Sequence, residues 1–114
     1  MKRKNPERDL HRALVKQLRI RCKPDVLFWH TPNGGQRDIR VANQLKLMGT
    51  LAGVPDLLFW DGNLAALELK SQRGVLTDHQ KEFRDKLEAK GGEFFVATSI
   101  DEALCFLSFR DLLQ

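Results

Sequence analysis

No stretch of this 114-residue chain stays apolar over the roughly 18 residues that a membrane-spanning helix requires. The basic start, Met1-Lys2-Arg3-Lys4, has no hydrophobic run behind it, so the expectation is a chain that is neither exported nor held in a membrane. Cysteine is scarce. Cys22 and Cys105 stand far apart, which excludes the close-pair spacing of a zinc site and the density of a small disulfide scaffold, and fits a reduced, cytoplasmic compartment. Internal repeats, low-complexity tracts and linkers are also missing, so residues 1–114 read as one domain. A chain of this length buries about two-thirds of its unfolded surface around a single core.

Charge is present but uneven. Residues 1–23 hold nine Lys or Arg against Glu7 and Asp9, a net +7, whereas residues 24–114 hold ten against thirteen acids, a net −3. The basic end suits phosphate contacts, although a solvated helix face with a loose basic tail would look the same.

Local signals give eight elements. A helix is expected over about 6–22, with Asn5 as cap, Pro6 in the first turn and Leu10, Leu14 and Leu18 as the buried stripe. Residues 26–30, Val-Leu-Phe-Trp-His, read as a short strand, followed by the turn-rich loop Thr31-Pro32-Asn33-Gly34-Gly35. A second helix, about 36–48, carries Ile39, Ala42, Leu45 and Met48 on one face and stops at Gly49. Two strands, 56–60 and 64–70, flank Asp61-Gly62-Asn63. Thr77-x-x-Gln80 is a capping box opening a helix to about Lys90, Phe94–Ala97 is a strand, and Ser99-x-x-Glu102 caps a last helix near 100–109. The order α-β-α-β-β-α-β-α implies an α/β fold, a mixed sheet with helices on both sides. Trp29 and Trp60, inside apolar strands, are expected in the core, and His11 and His79 on the surface.

The hairpin is the most informative part. With a three-residue turn, Trp60 pairs with Leu64 and Leu58 with Ala66, which sets Asp56 directly opposite Glu68. Opposed side chains on one face lie about 4.5–5.5 Å apart at Cβ. Lys70 shares that face, because the pleat repeats every two residues. A two-residue Asp61-Gly62 turn would send the carboxylates to opposite faces without giving either a partner. Two carboxylates at such a distance repel by roughly 3 kcal/mol at an effective dielectric near 20, so the cluster needs a cation, either Lys70 or a divalent metal.

Taken together, Trp29-His30-Thr31-Pro32-Asn33-Gly34-Gly35-Gln36-Arg37, Gly49, Gly53-Val54-Pro55-Asp56, Glu68-Leu69-Lys70 and Leu76-Thr77-Asp78-His79-Gln80 resemble the PD-(D/E)XK nuclease superfamily. The narrower resemblance is to its virus-type replication-repair branch, the VRR-NUC domain, in the standalone form found in phages and bacteria. It implies a restriction-endonuclease-like fold and a metal-dependent DNA endonuclease of replication and repair. Asp56, Glu68 and the Leu69 carbonyl would hold Mg²⁺ or Mn²⁺, with Glu7 completing the set; a first-turn acid answering the helix dipole is the alternative for Glu7. Lys70 would act on the attacking water and Gln80 would assist, unless Gln80 serves only as a cap.

Asn33, Arg37 and Arg40 are the expected DNA contacts, with arginines three apart on one helix face able to grip a phosphate. His30 reads as structural. The expected substrate is branched DNA, four-way junctions included, cut by a homodimer to which Phe106, Leu107 and Phe109 could contribute. The competing functions are a nucleic-acid-binding module that does not cleave, and a flap or repair nuclease subunit targeted by a partner.

Overall fold

Asn5 accepts a hydrogen bond from the Arg8 N–H and Pro6 fills the first turn, which starts α1 (Pro6–Arg21) where the sequence places it. A computed structural model describes residues 5–32 and 38–114. Asn33 and Arg37, two of the expected DNA contacts, lie outside the described residues. Beyond α1 come β1 (Leu27–His30), α2 (Ile39–Leu47), β2 (Leu57–Trp60), β3 (Leu64–Leu69), α3 (Asp78–Ala89), β4 (Glu93–Ala97) and α4 (Ile100–Phe109). The strands form one sheet in the order β1-β2-β3-β4, antiparallel twice and then parallel. This is the expected mixed sheet flanked by four helices.

The hairpin register is the one derived from the three-residue turn: Trp60 faces Leu64, Leu58 faces Ala66 and Leu57 faces Leu67. Alternation then sorts the side chains. Leu57, Phe59, Ala65, Leu67 and Leu69 pack with Leu14 and Leu18 of α1 and Ala103 and Leu107 of α4, while Leu58, Ala66 and Glu68 turn to the opposite face. Each fully buried leucine contributes on the order of 1.5–3 kcal/mol. The chain end closes this layer. Leu112 and Leu113 are buried, Cys22 bridges to Leu113, and the Gln114 N–H donates to the Arg21 carbonyl at 2.7 Å. That return holds the C-terminal end of α1 and so helps fix where its first turns lie.

Three expectations need correction. No residue of α2 is buried, and Ile39, Leu47 and Met48 are all more than 70% exposed. Instead of packing on the sheet, α2 and the loop after it stand beside α3, across an apolar cavity of about 720 Å³ lined by Ala42, Leu45, Leu51, Leu64, Phe83 and Leu87.

The second correction concerns the tryptophans, which are not core: Trp29 is 37% and Trp60 49% exposed. Leu27 pairs with Trp60 and Trp29 with Leu58, and of these four side chains Leu58 alone is buried, so on that face β1 and the Trp60 end of β2 stay open while α3 packs over β4.

Third, only half of the last capping box forms. Ser99 accepts from the Glu102 N–H, but the Glu102 carboxylate reaches one residue further, to the backbone N–H and hydroxyl of Thr98. Of the residues suggested for an interface, Leu107 is core and Phe106 stacks on Phe95, leaving Phe109 exposed.

Candidate active site

At the end of the sheet where β3 leaves the core, one cavity of about 760 Å³ is lined by Glu7, Asp56, Glu68, Leu69, Lys70 and Gln80 together with Arg8, His11, Arg12 and His30. Every described residue that the sequence nominated as a catalytic or metal-binding group is therefore in one place. Arg40 is not. It lies in the exposed first turn of α2, outside this cavity.

Asp56 is held from three sides. Pro55, fully buried, anchors the approach, and the Asp56 carboxylate accepts the Leu69 N–H at 2.8 Å, locking the two hairpin arms at the site. The Asp56 carbonyl accepts from His30 Nδ1 at 2.6 Å. Glu68 is only 4% exposed, which excludes a surface salt bridge with Lys70 as the reason for the cluster. Burial, then a hydrogen bond with the Asp56 carboxyl and the negative charges of Asp56 and Glu7, push its pKa up to about 9, while Lys70 pulls the other way. Without a further positive charge Glu68 stays protonated at neutral pH.

Glu7 reaches across from α1 to accept the Ser71 N–H at 3.0 Å. Gln80 forms the expected cap and reaches the site as well: its Oε1 accepts the Thr77 N–H at 2.9 Å in the capping box, and its Nε2 donates to Glu68 at 3.2 Å. Capping thus aims the amide at the buried carboxylate.

His11 corrects the sequence reading, since it is not a free surface residue. Its side chain is 18% exposed, its ring meets His30 edge to face at 4.5 Å between centroids, and its Nδ1 lies 3.9 Å from the Asp56 carboxylate. Burial and His30 lower its pKa against the pull of Asp56, so the ring is neutral near pH 7. The signal was in the spacing: His11 is four residues after Glu7, on the same helix face. Arg8 and Arg12 were visible only as part of a basic stretch, yet both reach the cavity rim.

The donor set suits a hard divalent cation. Glu7, Asp56 and Glu68 line the same cavity as Leu69, and the raised pKa of Glu68 reflects burial and the negative charge of its neighbours.

Comparison with known proteins gives the family and the fold. The VRR-NUC domain family model matches residues 5–101. A solved structure described as a VRR_NUC domain protein superposes with a TM-score of 0.76 over 94% of this chain and 88% of that chain, at 22% identity, a likeness of fold. No curated protein matches.

Proposed function

This chain belongs to the VRR-NUC domain family, nucleases of the PD-(D/E)XK type, and from that premise we propose that it is a divalent-metal-dependent endonuclease that cuts branched DNA, four-way junctions included. The observation that carries the reading is the convergence of Asp56, Glu68 and Lys70 with Glu7 and Gln80 in one cavity with an arginine rim. Asp56, Glu68, Glu7 and the Leu69 carbonyl would hold Mg²⁺ or Mn²⁺. A cation bound there would lower the pKa of a water and offset charge building on the phosphate.

The remaining work falls to the chain's own groups. Lys70 presents its ammonium to the attacking water or to the phosphate oxygens. Gln80 keeps Glu68 aimed through Nε2. Arg8 and Arg12 at the cavity, Arg40 on α2 and the sequence candidates Asn33 and Arg37 contact the DNA backbone. The unit is residues 1–114, working in a reducing cytoplasm of phage or bacterial origin. No described helix is long and apolar enough to cross a membrane.

The test is incubation of the purified protein with labelled linear, flap and four-way-junction DNA, with Mg²⁺, Mn²⁺ or EDTA. Cleavage that requires metal and is lost in Asp56→Ala and Lys70→Ala supports the reading. Binding without cleavage under every metal would turn it into the non-cleaving module.

Docking should depend steeply on salt. Arg8, Arg12, Lys16 and Arg19 share an exposed helix face. Four phosphate contacts predict a loss of about 10²-fold in affinity between 50 and 200 mM salt. The double variant Arg8→Ala/Arg12→Ala should flatten the slope by about two ions. An unchanged slope in that variant would remove α1 as the docking face.

The working unit is proposed to be a twofold dimer, because one metal centre cuts one strand and a junction needs two symmetric incisions. Ile39, Val41, Leu47, Met48 and Leu51 supply the exposed apolar surface that a second copy would cover. Light scattering should give about twice 13.1 kDa. Leu47→Glu/Met48→Glu should return a monomer that still nicks but no longer makes paired cuts. A wild-type monomer that cuts flaps and leaves junctions intact would favour the partner-targeted subunit.

A further inference from the structure

We propose that Asp56 is shared between two cation positions, and that the second, built from His11, His30 and Asp56, takes a transition-metal ion that nitrogen ligands favour and Mg²⁺ does not fill. This rests on the reading of Asp56 as a metal ligand, but its own geometry is independent of Glu68. One donor atom from each of the three residues lies within 4.8 Å of the others. Donors on a tetrahedral ion sit about 3.4 Å apart, so small side-chain rotations close the set.

Two features distinguish this trio from residues that merely happen to be close. The Asp56 carbonyl can only accept, so the 2.6 Å contact places the proton on His30 Nδ1 and leaves the lone pair on Nε2. Ligating histidines are held this way, with the far ring nitrogen donating to a backbone carbonyl or a carboxylate. His11 Nδ1 stands 3.9 Å from the Asp56 carboxylate oxygen. At 3.9 Å that gap is too long for a hydrogen bond and about 0.5 Å beyond the tetrahedral donor spacing, which a small side-chain rotation closes. The edge-to-face ring contact at 4.5 Å then fixes the two imidazoles relative to each other.

The chemistry of the two positions differs. The Glu7, Asp56, Glu68 and Leu69 set is all oxygen and suits Mg²⁺, while two imidazoles and one carboxylate suit Ni²⁺, Cu²⁺ or Zn²⁺. Occupancy of the second position would place another positive charge against Asp56.

Calorimetric titrations with Mg²⁺ and with Ni²⁺ test the proposal on untagged wild-type protein, Glu68→Gln and His11→Ala/His30→Ala. The expected pattern is crossed: Glu68→Gln weakens Mg²⁺ at least tenfold and keeps the Ni²⁺ isotherm, and the double histidine variant does the reverse. Unchanged Ni²⁺ binding in the histidine variant overturns it. Loss of Ni²⁺ in Glu68→Gln also overturns it, because the two positions would then be one, while the nuclease reading survives. Wild-type protein that binds Ni²⁺ but no Mg²⁺ would instead remove the carboxylate site and leave the histidine one. Should the histidine variant fail to fold, the Cu²⁺ electron paramagnetic resonance spectrum of the wild type at one equivalent decides. Splitting from two nitrogens supports the site; one or none, as a lone His79 would give, defeats it.

Discussion

Glu68→Gln should lower cleavage by at least about 10³-fold while making the metal-free protein more stable at alkaline pH. The substitution keeps shape and keeps an oxygen for Gln80 Nε2, so the pocket stays packed. What it removes is the ability to ionise, and the two consequences of that have opposite signs. Cleavage suffers because a neutral amide is a poor ligand for a hard cation and cannot balance it.

Stability gains because the native carboxyl is held near pKa 9 against an ordinary value of 4.5. Between those values the folded protein keeps a proton that the unfolded chain has released, so folding stability falls as pH rises from about 4.5 to about 9. The amide has no such slope. Thermal melts in EDTA should therefore show the variant above the wild type by several degrees at pH 8, with the difference shrinking towards pH 4.5. Saturating Mg²⁺ should reverse the order at pH 8, since a ligand that binds only the native wild type raises its stability by RT ln(1 + [L]/Kd). Parallel melting curves across this range would mean that Glu68 titrates normally and that the cluster is not short of positive charge.

The reason this site was legible in the sequence is that a hairpin is a ruler. Three turn residues fix the register, the register fixes which side chains oppose, and Asp56, Glu68 and Lys70 follow with no long-range information. Capping is equally local, so Thr77 and Gln80 could be placed, and with them the helix start that aims Gln80 at Glu68. Spacing on a helix shows which residues share a face, but not what the face meets. Ile39, Ala42, Leu45 and Met48 have the period of a buried stripe and remain exposed or half-buried, because nothing described covers α2. Trp29 and Trp60 mislead in the same way: an apolar strand is core only where a second layer lies over it. His11 is the converse case. Its burial arises from β1 and the Asp56 loop, elements 19 and 45 residues away in sequence, and only the fold brings them to it.

Gly53→Ala should be the most damaging single methyl group among the described glycines, lowering stability by about 3 kcal/mol or more and scattering the site. Gly53 has φ of +82°, and a Cβ there would stand 2.2 Å from the His79 carbonyl oxygen and 2.8 Å from the Gln80 nitrogen. These are backbone atoms at the start of α3, so no rotamer change relieves the clash; the loop leading to Pro55-Asp56 and the first turn of α3 must separate. That turn carries Gln80, whose contact with Glu68 joins the two halves of the site. Backbone strain alone does not account for the effect, and Gly91 provides the control. Its φ is +87°, nearly the same, but nothing lies within 4 Å of its would-be Cβ, so Gly91→Ala should cost only the left-handed penalty of about 1–2 kcal/mol. Chemical denaturation of both variants, with cleavage measured on whatever folds, separates the two causes. The expected result is a melting loss at Gly53 at least twice that at Gly91, and a fall in cleavage confined to Gly53→Ala. Equal losses at the two positions would show that the close approach of the Asp56 loop to α3 is not what holds the carboxylates and Gln80 together.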